Sequence, residues 1–223
     1  MRVLKFGGTS LANAGCFMTV ADIALQSAAR EQIALVLSAP AKVTNLLVAL
    51  VDAAAAGGEA REEFEAVRKI IDPLVAELAE RYPQYDRQRV ERNIAATLEL
   101  VEQRARGAAL LRQCPEKVAA FIESRGESFS IAIMAELLSA LGRQIRILDP
   151  VRLMLAEGGV MESQVNIEVS RERYLRMGID AQAIVLMSGF VGGDAHGDLV
   201  LLGRNGSDYS AACLAAAALL ASC

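Results

Sequence analysis

The chain reads as an α/β protein built on a mainly parallel sheet, and three observations predict it. Short apolar runs alternate with alanine-rich helical stretches from the first residues onward. Two glycine-broken segments lie near opposite ends, Lys5-Phe6-Gly7-Gly8-Thr9-Ser10 and Gly203-Arg204-Asn205-Gly206-Ser207-Asp208. Each follows an apolar run, Val3-Leu4 or Leu199 to Leu202, and precedes a helical stretch, so two helix N-termini are expected to face one spot.

Taken in order, Arg2 to Phe6 reads as a strand, Leu11 to Ala29 as a helix, and Ile33 to Ser38 as a strand. Val43 to Ala56 reads as a helix stopped by Gly57-Gly58. That βαβα start implies a parallel sheet with right-handed crossovers. From Glu59 to about Arg112 the chain turns charged. Phe64, Val67, Ile71, Leu74 and Leu78 mark one helical stripe, and Val90, Ile94, Leu98 and Val101 another, with Pro83 breaking the helix between them. Its charges read as a solvated face, with Glu65/Lys69 and Glu77/Arg81 spaced as helical pairs. Glu116 to Glu123 and Ser128 to Leu141 are further helices, Ile145 to Leu148 a strand, Arg171 to Met177 a short helix and Ala183 to Met187 a strand. Phe190-Val191 and Leu199 to Leu202 pair as a hairpin across a glycine-rich turn that holds His196. No repeat, low-complexity tract or linker divides the sequence, so one domain is expected.

Composition narrows the function. Hydrophobic residues make up 53% of 223, enough for a sizeable core, yet no uncharged apolar stretch reaches the roughly 18 residues of a membrane span. Ala211 to Cys223 comes nearest and reads as a buried helix. No secretory leader is visible, and a cytoplasmic protein is expected. A net charge of -4, 4% aromatic residues and no Trp argue against a nucleic-acid partner. Cys16, Cys114, Cys213 and Cys223 are widely spaced, and there is one histidine, so buried thiols are expected rather than zinc ligands, and no metal-ligating residue is assigned.

Chemistry is expected where the loops meet. Lys5 sits at the C-terminal end of the first strand, where open α/β sheets bind ligands, and a lysine there needs negative charge nearby. Glycine amides can approach an anion closely, and the hydroxyls of Thr9, Ser10 and Ser207 can add donors or cap a helix. Ser38-Ala39-Pro40-Ala41-Lys42-Val43-Thr44-Asn45, Arg125-Gly126-Glu127-Ser128 and Met187-Ser188-Gly189-Phe190 interrupt apolar sequence and should join the same rim. Singly, Glu127 reads as an early-turn helix acid and Ser207-Asp208 as a cap. Beside Lys5 and Arg204 they read as a site for a small zwitterion next to a polyphosphate.

Lys5-Phe6-Gly7-Gly8-Thr9-Ser10, Thr44-Asn45-Leu46-Leu47, Arg125-Gly126-Glu127 and Gly203 to Ala212 together resemble the aspartate kinases, members of the amino-acid kinase fold. The motifs keep the family's order over the whole chain. Their wording is most similar to the kinase portion of the bifunctional aspartokinase/homoserine dehydrogenases of threonine biosynthesis. The resemblance implies a three-layer αβα sandwich, truncated at its C-terminal side, and transfer of the ATP γ-phosphoryl group to the side-chain carboxylate of L-aspartate. It implies ATP and Mg2+ as cofactors, with Mg2+ held mainly by the nucleotide phosphates.

By similarity, Lys5 bridges the transferring phosphate while Gly7, Gly8, Thr9 and Ser10 cradle phosphate oxygens. Arg204 forks onto the α-carboxylate of aspartate, Glu127 takes its ammonium, Thr44 and Ser207 position it, and Asp208 orients Lys5. In the family an acidic nucleotide-binding segment, a later phosphate-contacting lysine, ACT domains and the dehydrogenase half follow the region matched here. The 223-residue chain is therefore expected to be a fragment with little or no kinase activity, and an exposed sheet edge to favour a homo-oligomer. The alternatives are another amino-acid kinase, such as one acting on glutamate, and a non-catalytic anion-binding or assembly fragment.

Overall fold

The computed structural model describes residues 1–219. Four strands, β1 (Arg2–Phe6), β2 (Ile33–Leu37), β3 (Ile145–Leu148) and β6 (Ile184–Ser188), form a sheet in the order β1-β2-β6-β3, with every neighbouring pair parallel. The register pairs Lys5 with Val36 and Leu37 with Ser188, so these strands finish along one edge.

Both faces of the sheet are covered, because the central strands are apolar at every position before Ser188 and alternate residues point to opposite sides. Ile33, Leu35, Leu37, Ile184 and Leu186 enter one core with α1 (Ala14–Ala28), α2 (Val43–Ala55) and α6 (Arg125–Ala140). Ala34, Val36, Val185 and Met187 enter the other, against α8 (Ile167–Arg176) and α9 (Gly206–Leu219). The result is the expected αβα sandwich.

Outside the first helical layer stands a helical hairpin, α3 (Arg61–Arg81) and α4 (Arg87–Leu111), followed by the short α5 (Glu116–Glu123). The expected stripes bury Val67, Ile71, Leu74 and Leu78 from α3, and Val90, Ile94, Leu98 and Val101 from α4. Pro83 lies just beyond the end of α3, whereas Pro73 sits inside that helix without ending it. Core packing on either side of Pro73, by Ile71, Leu74 and Val75, outweighs its missing hydrogen bond. Glu136 of α6 ties the hairpin down. It accepts the Asp86 amide at 3.2 Å and stands 3.5 Å from the Arg89 guanidinium.

Several local expectations need correction. The predicted helix from Leu11 is a 3-10 turn over Gly8–Leu11, and α1 begins only at Ala14, where the Asn13 side chain caps it by accepting the Cys16 amide. No break separates α5 from α6 beyond Ser124, which serves both. The helix expected over Arg171 to Met177 is longer, because Asn166 caps α8 earlier. Cys16 and Cys114 are partly exposed, only Cys213 among the described cysteines is buried, and Cys223 lies outside the described residues with the end of the expected tail helix.

Short elements went unforeseen: α7 (Pro150–Leu153) and the hairpin of β4 (Ala156–Gly158) with β5 (Ser163–Val165). The expected glycine-turn hairpin is present as β7 (Val191–Gly193) and β8 (Leu199–Leu201). Bridges from Leu155 to Gly193 and from Glu162 to Leu202 join the two hairpins beside the sheet. Among the described residues, no helix is long and apolar enough to cross a membrane.

Leu35, fully buried on a central strand, should cost about 2–5 kcal/mol of stability on replacement by alanine, as read by urea unfolding. Leu110, 89% exposed on α4, should change stability by less than about 0.5 kcal/mol on the same replacement.

Candidate active site

A parallel sheet delivers its strand ends to one edge, and there a cleft of about 390 Å³ opens. It is lined by Lys5 near the end of β1 and Gly8 after it, by residues 38–42 after β2, and by Thr44 and Asn45 in the first turn of α2. Glu127 from the first turn of α6 and the run Gly203 to Asp208, which leads into α9, complete it with Phe190. Three helix starts therefore meet at one cleft, and their unpaired amides bias it toward anions.

Lys5 reaches the cleft through strand alternation. Leu4 and Phe6 pack into the first core and Val3 into the second, which turns Lys5 toward α9. There its ammonium lies 3.1 Å from Oδ1 and 3.2 Å from Oδ2 of Asp208, straddling the carboxylate. The Lys5 side chain is 25% exposed and that of Asp208 64%, so this pair adds little stability and serves chiefly to aim the lysine.

Glu127 is the opposite case. It is only 3% exposed, its Oε1 accepts the Ala39 amide at 3.3 Å, and its Oε2 is buried without a partner. Burial pushes its carboxyl up to about 8, against the opposing pull of backbone amides and of Arg125. The helix can bring Glu127 so deep only because Gly126 precedes it: a Cβ there would stand 2.5 Å from the Ala39 Cβ.

Arg204 occupies the turn before α9, lines the cleft, and makes no ion pair among the described residues. Gly203 at φ 71° and Asn205 at φ 56° bend this turn, and the Gly206 amide closes it by donating to the Gly203 carbonyl. Of the five non-glycine residues with positive φ among the described residues, three line the cleft: Lys42, Phe190 and Asn205. Backbone strain is thus concentrated here.

Lys5, Gly8, Thr44, Glu127, Arg204, Ser207 and Asp208, all singled out from sequence, share this one cleft. Gly7 borders it, since a Cβ on Gly7 would lie 3.4 Å from the Lys5 ammonium. Thr9 and Ser10 do not line it and are exposed on the 3-10 turn, nor does either cap α1. Sequence reasoning named no role for Lys42, Asn45, Phe190 or Asn205. The signal for Lys42 and Asn45 was the polar loop after β2; positive φ at Phe190 and Asn205 leaves no mark in sequence. His196 sits at the tip of the β7–β8 hairpin, outside this cleft.

Known proteins resemble this chain along nearly its whole length. The chain is 44% identical over 216 residues to the bifunctional aspartokinase/homoserine dehydrogenase of Haemophilus influenzae, a match covering 97% of this chain and 26% of that protein. It is 33% identical to the lysine-sensitive aspartokinase 3 of Escherichia coli, over 96% of this chain and 46% of that protein. A crystal structure of E. coli aspartokinase III in complex with aspartate and ADP superposes with a TM-score of 0.83 at 33% identity, over 98% of this chain and 47% of that one. The chain thus spans between about a quarter and a half of these relatives' lengths. The family model for amino acid kinases matches residues 1–221, and the chain belongs to the amino acid kinase family.

Proposed function

We propose that this chain supplies the aspartate pocket and first phosphate loop of an enzyme that transfers the ATP γ-phosphoryl group to the side-chain carboxylate of L-aspartate. The observation that carries this reading is the buried carboxyl of Glu127, with one oxygen unpartnered, in a cleft otherwise rich in cations. An incoming ammonium supplies what that oxygen lacks. Its relatives point the same way, two of them being named for aspartokinase activity and one having been solved with aspartate and ADP.

The division of labour follows from charge. Glu127 takes the α-ammonium of aspartate, and Arg204, a planar fork with no ion pair among the described residues, takes the α-carboxylate through paired hydrogen bonds. Thr44 and Ser207 contribute hydroxyls that fix the side chain. The acceptor carboxylate, with a pKa of about 3.9, is already ionised at neutral pH, so the attack needs no general base. What remains is alignment of two anions and neutralisation of charge on the transferred group. Lys5, aimed by Asp208, meets that charge, while the amides of Gly7 and Gly8 cradle phosphate oxygens. Mg2+, when bound together with ATP, would supply further positive charge against the nucleotide phosphates. Thr9 and Ser10, exposed outside the cleft lining, take no part in holding the phosphate.

Calorimetry on the 223-residue chain tests the pocket directly. L-Aspartate should bind, and succinate, which lacks the ammonium, should bind at least about tenfold more weakly. Equal affinities would remove Glu127 from its role.

Only ionised Glu127 can accept an ammonium, and the free carboxyl titrates at about 8. Aspartate affinity should therefore rise between pH 6 and pH 8, by up to about tenfold per unit, and level off above. Stability runs the other way. Between its ordinary 4.5 and about 8 the folded chain keeps a proton on Glu127 that the unfolded chain releases, so stability falls as pH rises through that window. Glu127→Gln should flatten the binding profile, weaken aspartate by about tenfold or more, and melt higher than the unsubstituted chain at pH 8.5. A variant that melts lower at pH 8.5 while keeping the pH-dependent binding would contradict the assignment.

A further inference from the structure

Lys42 has no part in the mechanism above, yet its position is difficult to explain by folding alone. It is the N-cap residue of α2, where its side chain makes no capping bond, because an ammonium has no oxygen to offer the helix amides. Its positive charge lies at the positive end of that helix. Its backbone is left-handed, at φ 72° and ψ -15°, a conformation that suits glycine better than any residue with a Cβ. Three local preferences are thus violated at one residue.

The surroundings show where the compensating gain lies. Lys42 lines the cleft, its side chain is exposed, and it makes no ion pair among the described residues. The two carboxylates of the cleft are committed elsewhere: Asp208 straddles the Lys5 ammonium, and Glu127 lies buried against the Ala39 amide. The loop ending in Lys42 is wedged between the two halves of the site. A Cβ on Gly8 would lie 3.0 Å from the Ala39 carbonyl oxygen and 3.5 Å from the Ala41 Cα, so the loop abuts the glycine turn after β1. On its other side it touches Gly126, directly before Glu127. The buried, unpartnered Oε2 of Glu127 independently marks this cleft as built for a ligand.

We propose that Lys42 is a second ammonium at the reacting end of the cleft, which with Lys5 binds the phosphoryl group and holds it against the acceptor carboxylate. The proposal rests on the phosphotransfer reading and extends it. Two ammonium groups from neighbouring strand ends flank one phosphoryl group whose negative charge is spread over three oxygens, and the left-handed backbone is the conformational cost of directing the second of them from the loop. Glycine at this position relieves the backbone and loses the charge; arginine keeps the charge.

Calorimetry at low ionic strength, with inorganic tripolyphosphate and L-aspartate titrated separately, distinguishes the possibilities when run beside thermal melts. Lys42→Gly should bind tripolyphosphate about tenfold more weakly than the unsubstituted chain. Its melting temperature should rise by about 2–4 °C as the backbone relaxes. Its L-aspartate affinity should change less than about twofold, and Lys42→Arg should keep tripolyphosphate affinity within about threefold. Unchanged tripolyphosphate affinity in Lys42→Gly, a lowered melting temperature, or no tripolyphosphate binding by the unsubstituted chain would each overturn the proposal. Failure of the unsubstituted chain to bind L-aspartate overturns the parent reading as well.

Discussion

The site is organised around a carboxyl that folding leaves half satisfied. Glu127 is carried into the interior by the first turn of α6, accepts the Ala39 amide at one oxygen, and keeps its second oxygen unpartnered among the described residues. Burial, only partly offset by backbone amides and Arg125, holds its titration near 8, several units above an ordinary glutamate. Such a group weakens the folded state at neutral and alkaline pH. It becomes favourable when a cation arrives, and a zwitterion whose ammonium fills the gap turns a defect of folding into binding free energy.

The rest of the fold can be understood as what that arrangement requires. The loop after β2 must come close enough to bond Glu127, which Gly126 permits, and must also reach the Gly8 turn after β1. The two ends of the described chain must meet as well. Lys5 and Asp208 stand 203 residues apart in sequence and pair across the sheet edge because β1 and α9 share one core face. A pair this exposed contributes little to stability, so its significance is directional: it holds one ammonium over the place where negative charge accumulates. Among the described residues Arg204 has no ion-pair partner, and it stands on a strained turn, the conformation of a group kept available for a ligand.

Much of this was legible in the sequence for a topological reason. A parallel sheet sends every strand end to the same edge, so polar insertions after β1, β2 and β6 had to converge whatever their detailed conformations. Lys5 and Thr44 met in the cleft on that basis, while Glu127 enters it at the start of α6 and Arg204, Ser207 and Asp208 enter it after β8 of the separate hairpin. Thr9 and Ser10 did not, because the chain curls into a 3-10 turn after Gly7 and delays α1 until Asn13 can cap it. Helix length was misjudged wherever a capping Asn outweighed side-chain periodicity, as at Asn166 before α8. The β4–β5 hairpin went unseen because its three-residue strands pair through the context of the neighbouring hairpin rather than through any pattern of their own. Positive φ at Lys42 and Phe190 was illegible too, since neither residue type announces it.

The account stands on the ionisation state of Glu127, and carbon-13 NMR of its side-chain carboxyl measures that state at the residue itself. Titrated in the free chain, the resonance should move with an apparent pKa near 8, and saturating L-aspartate should carry it well down toward the ordinary carboxylate range. A resonance that titrates near 4.5 in the free chain, or one that stays near 8 with aspartate bound, would contradict the claim that an ammonium completes this carboxyl.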